Sequence, residues 1–145
     1  MEMLEMIKLV YVSSANNDLD KQALYELLKQ SRDRNKALGI TGMLLYVNGN
    51  FVQVLEGEQE SVEAVYHSIL KDERNYGNIV LQKEPIIERV FPKWSMGFRD
   101  LSEEKLDKVN GFSEFVNRDL SLKEFASRED ETVDLLYSFK KGNTP

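Results

Sequence analysis

The order in which short apolar strands and helix-period segments alternate constrains this chain more than any other feature. Ile7-Lys8-Leu9-Val10-Tyr11-Val12-Ser13 is apolar and β-branched, and it runs into the turn-forming cluster Ser14-Ala15-Asn16-Asn17. It reads as a buried first strand. From about Asp20 to Lys36 the period becomes helical, with Leu24, Leu27, Leu28 and Ser31 on one stripe. Asp18 or Asp20 is placed to cap that helix, and Gly39 to stop it. Thr41 to Val47 and Phe51 to Leu55 read as two strands joined through Asn48-Gly49-Asn50, a hairpin signal. Glu58 to Lys71 reads as a second helix with Val62, Val65, Tyr66, Ile69 and Leu70 on its apolar face. Ile79 to Gln82 and Lys93 to Phe98 complete the strands, punctuated by Pro85 and Pro92.

The resulting β-α-β-β-α-β-β order predicts an α+β, ferredoxin-like sheet with an extra strand and two helices on one face. Beyond Leu101 the sequence turns helical and more charged. Ser102-Glu103-Glu104 resembles a cap with an acidic first turn. Thr132, Val133, Leu136 and Phe139 form a later stripe, closed by Lys140, Lys141 and Gly142. These C-terminal helices are expected on the other face of the sheet, since that is the apolar surface left to cover. Residues 1–101 are therefore expected to form the core. Residues 102–145 are expected to form an extension of the same globular unit.

Composition removes most chemistries. There is no cysteine, hence no disulfide, no thiol nucleophile and no thiol–flavin adduct. A single histidine, His67, leaves little for a metal site or a Ser-His-Asp triad. The eight glycines form neither a GxGxxG fingerprint nor a Walker A loop. The net charge of −6, with basic residues scattered among acids, argues against nucleic acid as a direct partner. No apolar run is long enough to span a bilayer, and the N-terminus lacks a basic n-region, so a cytoplasmic location is expected.

Side chains on a strand alternate faces. Leu9, Tyr11 and Ser13 thus share a face of the first strand, as do Phe51, Gln53 and Leu55 on the third. Trp94, Met96 and Phe98 are expected to share one on the fifth. Gln53 is the odd residue in an otherwise apolar Phe-Val-Gln-Val-Leu run. A buried amide left unpaired costs about 1–3 kcal/mol, so it must find partners or face solvent. Taken alone, Tyr11, Trp94 and Met96 read most simply as packing residues.

Taken together, these segments resemble the BLUF domain. The likeness rests on Leu9-Val10-Tyr11-Val12-Ser13-Ser14, Asn35-Lys36-Ala37-Leu38-Gly39-Ile40-Thr41-Gly42 and Phe51-Val52-Gln53-Val54-Leu55-Glu56-Gly57-Glu58. Asp72-Glu73-Arg74 and Trp94-Ser95-Met96 continue it in order, so that it spans about Ile7 to Leu101. Each motif alone is weak, and five in register are strong. The resemblance implies a non-covalent flavin, FAD by preference with FMN or riboflavin as variants, between the two core helices. It implies Tyr11 and Gln53 at the ring's reactive edge, Asn35 toward a ring carbonyl, and Leu27 and Ile69 on the ring faces. Asp72 and Arg74 would serve the pyrimidine edge, with Met96 or Trp94 beside Gln53 carrying the signal onward. Arg34 stands where some relatives have a smaller polar residue or histidine, and Asn75 where several have histidine.

The implied activity is blue-light sensing. Tyr11 would pass an electron and a proton toward the flavin through Gln53, and rearranged hydrogen bonds would signal to a partner protein. With no output domain fused, that partner is expected to be a separate regulatory protein bound in a light-dependent way, and a homo-oligomer is expected. The competing readings are a small flavoenzyme or acylphosphatase-like hydrolase, and a non-photoactive interaction module of the same fold. Ser13-Ser14-Ala15-Asn16-Asn17 lacks the arginine that a phosphate loop would want there.

Overall fold

The computed structural model describes residues 5–16, 19–47, 49–101 and 122–139. Among the described residues, five strands and four helices occur in the order β1 (Met6–Ala15), α1 (Lys21–Leu38), β2 (Thr41–Val47), β3 (Asn50–Glu58), α2 (Gln59–Lys71), β4 (Asn75–Pro85), β5 (Gly97–Asp100), α3 (Leu122–Ser127) and α4 (Glu129–Tyr137). The sheet order is β4-β1-β3-β2-β5. β1 pairs antiparallel with β3 and β4, and β2 antiparallel with β3, while β5 joins β2 in parallel. This is the expected ferredoxin-like α+β arrangement with an added strand.

Local chemistry sets the elements. Asp20 caps α1 by accepting from the Ala23 N–H at 2.8 Å, and Gly39 ends it in the left-handed region at φ 68°. Gly49, at φ 75°, sits in the two-residue turn between β2 and β3, where Val47 pairs with Asn50. On one face of the sheet Leu9, Tyr11, Leu44, Phe51 and Leu55 pack beneath Leu24 and Leu28 of α1 and Val62, Val65 and Ile69 of α2. On the other, Val10, Val12, Leu45, Val52 and Val54 pack against Phe125 of α3 and Val133, Leu135 and Leu136 of α4. Each fully buried side chain of this kind contributes about 1.5–3 kcal/mol. The expected stripe of Thr132, Val133, Leu136 and Phe139 is buried throughout. Ser102-Glu103-Glu104 and Lys140 to Gly142 lie outside the described residues.

Three expectations need correction. β4 spans eleven residues, Asn75–Pro85, rather than Ile79 to Gln82. It is an edge strand held by backbone pairing to β1, so its polar ends need no apolar pattern to join the ladder. Its register slips as Tyr11 pairs with Val80 and Val10 with Gln82, leaving Leu81 as a bulge. Leu70 is 50% exposed and falls off the buried face of α2.

The third concerns Trp94 and Met96. β5 begins only at Gly97, so these residues precede the strand and its two-residue alternation does not apply to them. Met96 is buried with Tyr11 under α1 and α2. Trp94 instead packs on the opposite cluster, stacked on Phe91 at 6.0 Å.

Glu56, wholly buried on β3, organises the connection that leads to them. Its two carboxylate oxygens accept the backbone N–H groups of Val90 and Phe91, each at 2.8 Å. Burial pushes its carboxyl above the ordinary range, against the pull of those two donors and of Arg89.

Two glycines separate backbone conformation from crowding. A Cβ on Gly42 would lie 2.0 Å from the Val54 carbonyl oxygen, whereas one on Gly39 would meet nothing within 4 Å. Gly39→Ala is expected to cost about 1–2 kcal/mol, for φ alone. Gly42→Ala is expected to cost roughly 3 kcal/mol or more, because strand backbones must separate. Urea denaturation of the two variants checks the order.

Candidate functional site

The strands of the central ladder bring two polar side chains together. Tyr11 of β1 lies directly opposite Gln53 of β3, and both are 3% exposed. The Tyr11 hydroxyl donates a hydrogen bond to Gln53 Oε1. The other end of the amide, Nε2, donates to the Met96 sulfur at 3.2 Å. A thioether only accepts and a phenol O–H donates, so the two neighbours dictate which way the amide faces. Both ends of Gln53 are thereby satisfied inside the protein, which resolves the demand that its sequence position raised.

Burial pushes the Tyr11 phenol well above the ordinary tyrosine range, reinforced by Tyr66, whose ring lies 5.2 Å away, and opposed by Arg34. It is therefore a neutral hydroxyl donor across the physiological range.

A narrow cleft descends to this pair between α1 and α2. Leu27 and Ile69 form its two walls. Tyr11, Leu44, Phe51 and Gln53 floor it, and Ser31, Arg34, Asp72, Arg74 and Asn75 line the rest. Asp72 and Arg74 are joined by a fork, with Nη2 to Oδ2 at 2.6 Å and Nε to Oδ1 at 2.9 Å. Hydrogen bonding from Arg74 holds the Asp72 carboxyl below its usual value. Asn75 caps the end of α2 by donating to the Ile69 and Asp72 carbonyls at 3.0 and 2.9 Å. A more open groove on the other side of α1, floored by Leu24, Leu28 and Phe98, does not reach Tyr11 or Gln53.

Of the residues singled out from sequence, Tyr11, Leu27, Gln53, Ile69, Asp72 and Arg74 meet in one cleft. Met96 lies behind Gln53. Asn35, fully buried, sits behind the cleft wall, where its Nδ2 donates to the Ser95 carbonyl at 2.8 Å and its Oδ1 accepts from Arg34 at 3.2 Å. Trp94 is on the far side of the sheet. Ser31, Leu44 and Phe51 were not singled out as site residues. Their positions on the same faces as Leu27 and Gln53 carried that signal.

The profile of one family, BLUF, described as sensors of blue light using FAD, matches residues 6–97. The chain belongs to the BLUF family. Photoactivated adenylate cyclase subunit beta of Euglena longa is 37% identical over 89 residues, which are 61% of this chain and 10% of that protein. The blue light- and temperature-regulated antirepressor BluF of Escherichia coli (strain K12) is 32% identical over 101 residues, 70% of this chain and 25% of that one. The chain thus spans a small part of the curated relatives it matches. Among solved structures, the photo-activated state of BlsA superposes with a TM-score of 0.80 at 29% identity, covering 97% of this chain and 98% of that one. The dark state of BlrB, a BLUF protein, gives 0.71 at 32% identity, covering 91% and 97%.

The cleft suits the family's flavin. Aliphatic walls oppose each other across a slot, and carboxylate, guanidinium and amide groups line its rim. Ser13 Oγ, buried on Tyr11's face of the sheet, has no hydrogen-bond partner among the described residues. No described helix is long and apolar enough to cross a membrane.

The raised phenol has a consequence for stability. Tyr11 stays protonated in the fold while the unfolded chain ionises near 10.0, so its contribution is complete below that pH and is lost as pH rises above it. Tyr11→Phe should therefore lose less stability than the wild type between about pH 8 and about pH 10.5. Urea midpoints at the two pH values measure the difference.

Proposed function

We propose that this chain senses blue light through one FAD held non-covalently in the cleft between α1 and α2. In this reading residues 1–101 are the sensing core and residues 102–145 the output surface of the same unit. Leu27 and Ile69 hold the ring faces, Asp72 and Arg74 serve its polar edge, Asn35 steadies the wall from behind, and Tyr11, Gln53 and Met96 stand where the chemistry occurs. The observation that carries this is the buried row from Tyr11 through Gln53 to Met96.

When bound, the flavin supplies absorption of blue light and, once excited, an acceptor for an electron. Tyr11 is the donor. Its O–H already points at Gln53 Oε1, so the phenol has a route for its proton as the electron leaves. Gln53 donates from one end while it accepts at the other, which the Met96 thioether, an acceptor only, cannot match. In the resting arrangement its carbonyl meets a donor and its amino group an acceptor. Turned over, Nε2 would face the tyrosine oxygen and Oε1 the Met96 sulfur, which has no proton to give. The carbonyl must then take a donor elsewhere. The two arrangements differ by one or two hydrogen bonds of about 1 kcal/mol each, small enough for a local event to choose between them.

Met96 leads directly into β5, and Trp94 two residues earlier touches Phe91, which contacts Tyr137 of α4 at 6.0 Å. We infer that a change at Gln53 reaches the C-terminal helices by this connection. From there it alters association with a separate regulatory protein or with further copies of this chain.

The full chain purified with FAD should be yellow, shift its absorption to the red under blue light and recover in darkness. Tyr11→Phe and Gln53→Leu should each keep the flavin and lose the shift. A reversible shift in Tyr11→Phe would reject the donor, and one in Gln53→Leu would reject the switch. A colourless protein that refuses added flavin would instead support a plain interaction module, and substrate turnover in darkness an enzyme. Co-precipitation from lysate in light and in darkness tests the output. An unchanged set of partners would sink that part of the reading.

A further inference from the structure

The residues just before β5 follow no regular secondary structure, yet three successive carbonyls there are each held from another element. The Gly42 N–H of β2 donates to Trp94 O at 3.0 Å. Asn35 Nδ2 donates to Ser95 O at 2.8 Å, and Arg32 Nε to Met96 O at 2.9 Å. Arg32 and Asn35 are three residues apart on α1 and so share one face of that helix. The next residue, Gly97, leaves no slack. A Cβ there would lie 2.6 Å from both the Met43 sulfur and the Trp94 ring.

We propose that Arg32 is a positioning residue. It grips the Met96 backbone from α1 and so keeps the thioether within hydrogen-bonding reach of the Gln53 amide. Gly42 and Asn35 hold the two carbonyls upstream, so that Asn35 and Arg32 grip the peptides on either side of the Met96 Cα, and Arg32 is the charged one of the pair. Arg32 touches neither Tyr11 nor Gln53, and its effect runs through a methionine that would otherwise choose among several rotamers. A charged donor suits the task, because hydrogen bonds from a guanidinium to a carbonyl are stronger than neutral ones. This assignment rests on the reading of Gln53 as the switch, and its test has one readout that does not.

The first readout is the Met96 methyl resonance of the flavin-loaded full chain in darkness, with Met6 as an internal reference. Arg32→Ala should broaden or shift the Met96 signal and leave that of Met6 alone. Arg32→Lys, which keeps a single cationic donor, should fall between, and it also serves if the alanine variant folds poorly. The second readout is recovery after illumination. Losing the grip removes the acceptor that favours the resting amide, so Arg32→Ala should slow recovery about threefold or more, and in a Met96→Leu background change it less than about 1.5-fold. An unchanged Met96 signal, wild-type recovery in Arg32→Ala, or an equal slowing with leucine at position 96 overturns the assignment. If the wild type gives no light response while Arg32→Ala still loosens Met96, the grip stands and the light-sensing reading falls.

Discussion

β3 is hydrogen-bonded along both edges and covered on both faces, so every polar atom it carries must find its partner inside the protein. Three of its side chains meet that demand in different ways. Asn50 receives the Ser14 hydroxyl at 3.3 Å, Gln53 spans Tyr11 and Met96, and Glu56 takes two backbone N–H groups of the segment before β5. Gln53 and Glu56 point to opposite faces, being three residues apart on one strand. The strand that holds the amide against the cleft therefore also fastens, from its other side, the connection leading to Trp94 and Met96. The cleft and the connection before β5 share one rigid element.

Much of the fold could be read from the sequence because strong signals acted locally. Asp20, Gly39 and the turn at Gly49 bound α1 and the first hairpin, and the apolar runs on either side left little freedom in the register. The pairing of Tyr11 with Gln53 was implied once β1 and β3 were taken as neighbours whose marked residues faced the same way. What remained hidden depended on distant contacts. The ends of β4 are polar and join the ladder through backbone pairing to β1, a bond type that leaves no trace in side-chain pattern. Residues 93–96 look like a strand by composition, but hydrogen bonds from Gly42, Asn35 and Arg32 hold them out of the ladder. That is why Trp94 and Met96 part to opposite faces.

The family resemblance located the cleft residues sooner than periodicity did, while the structure gave two of them their physical reasons. Asn75 closes the end of α2 with two hydrogen bonds. Asn35 ties α1 to the segment carrying Met96 as well as standing behind the cleft.

The cover that α3 and α4 place over the valine face limits what any light signal can accomplish. Lifting them away would wet Val10, Val12, Val52 and Val54, all 0% exposed, at about 1.5 kcal/mol or more apiece. One exchanged hydrogen bond, at about 1 kcal/mol, cannot supply that. The helices must therefore tilt or slide while the valines stay dry, unless an incoming protein lays an equally greasy surface in their place.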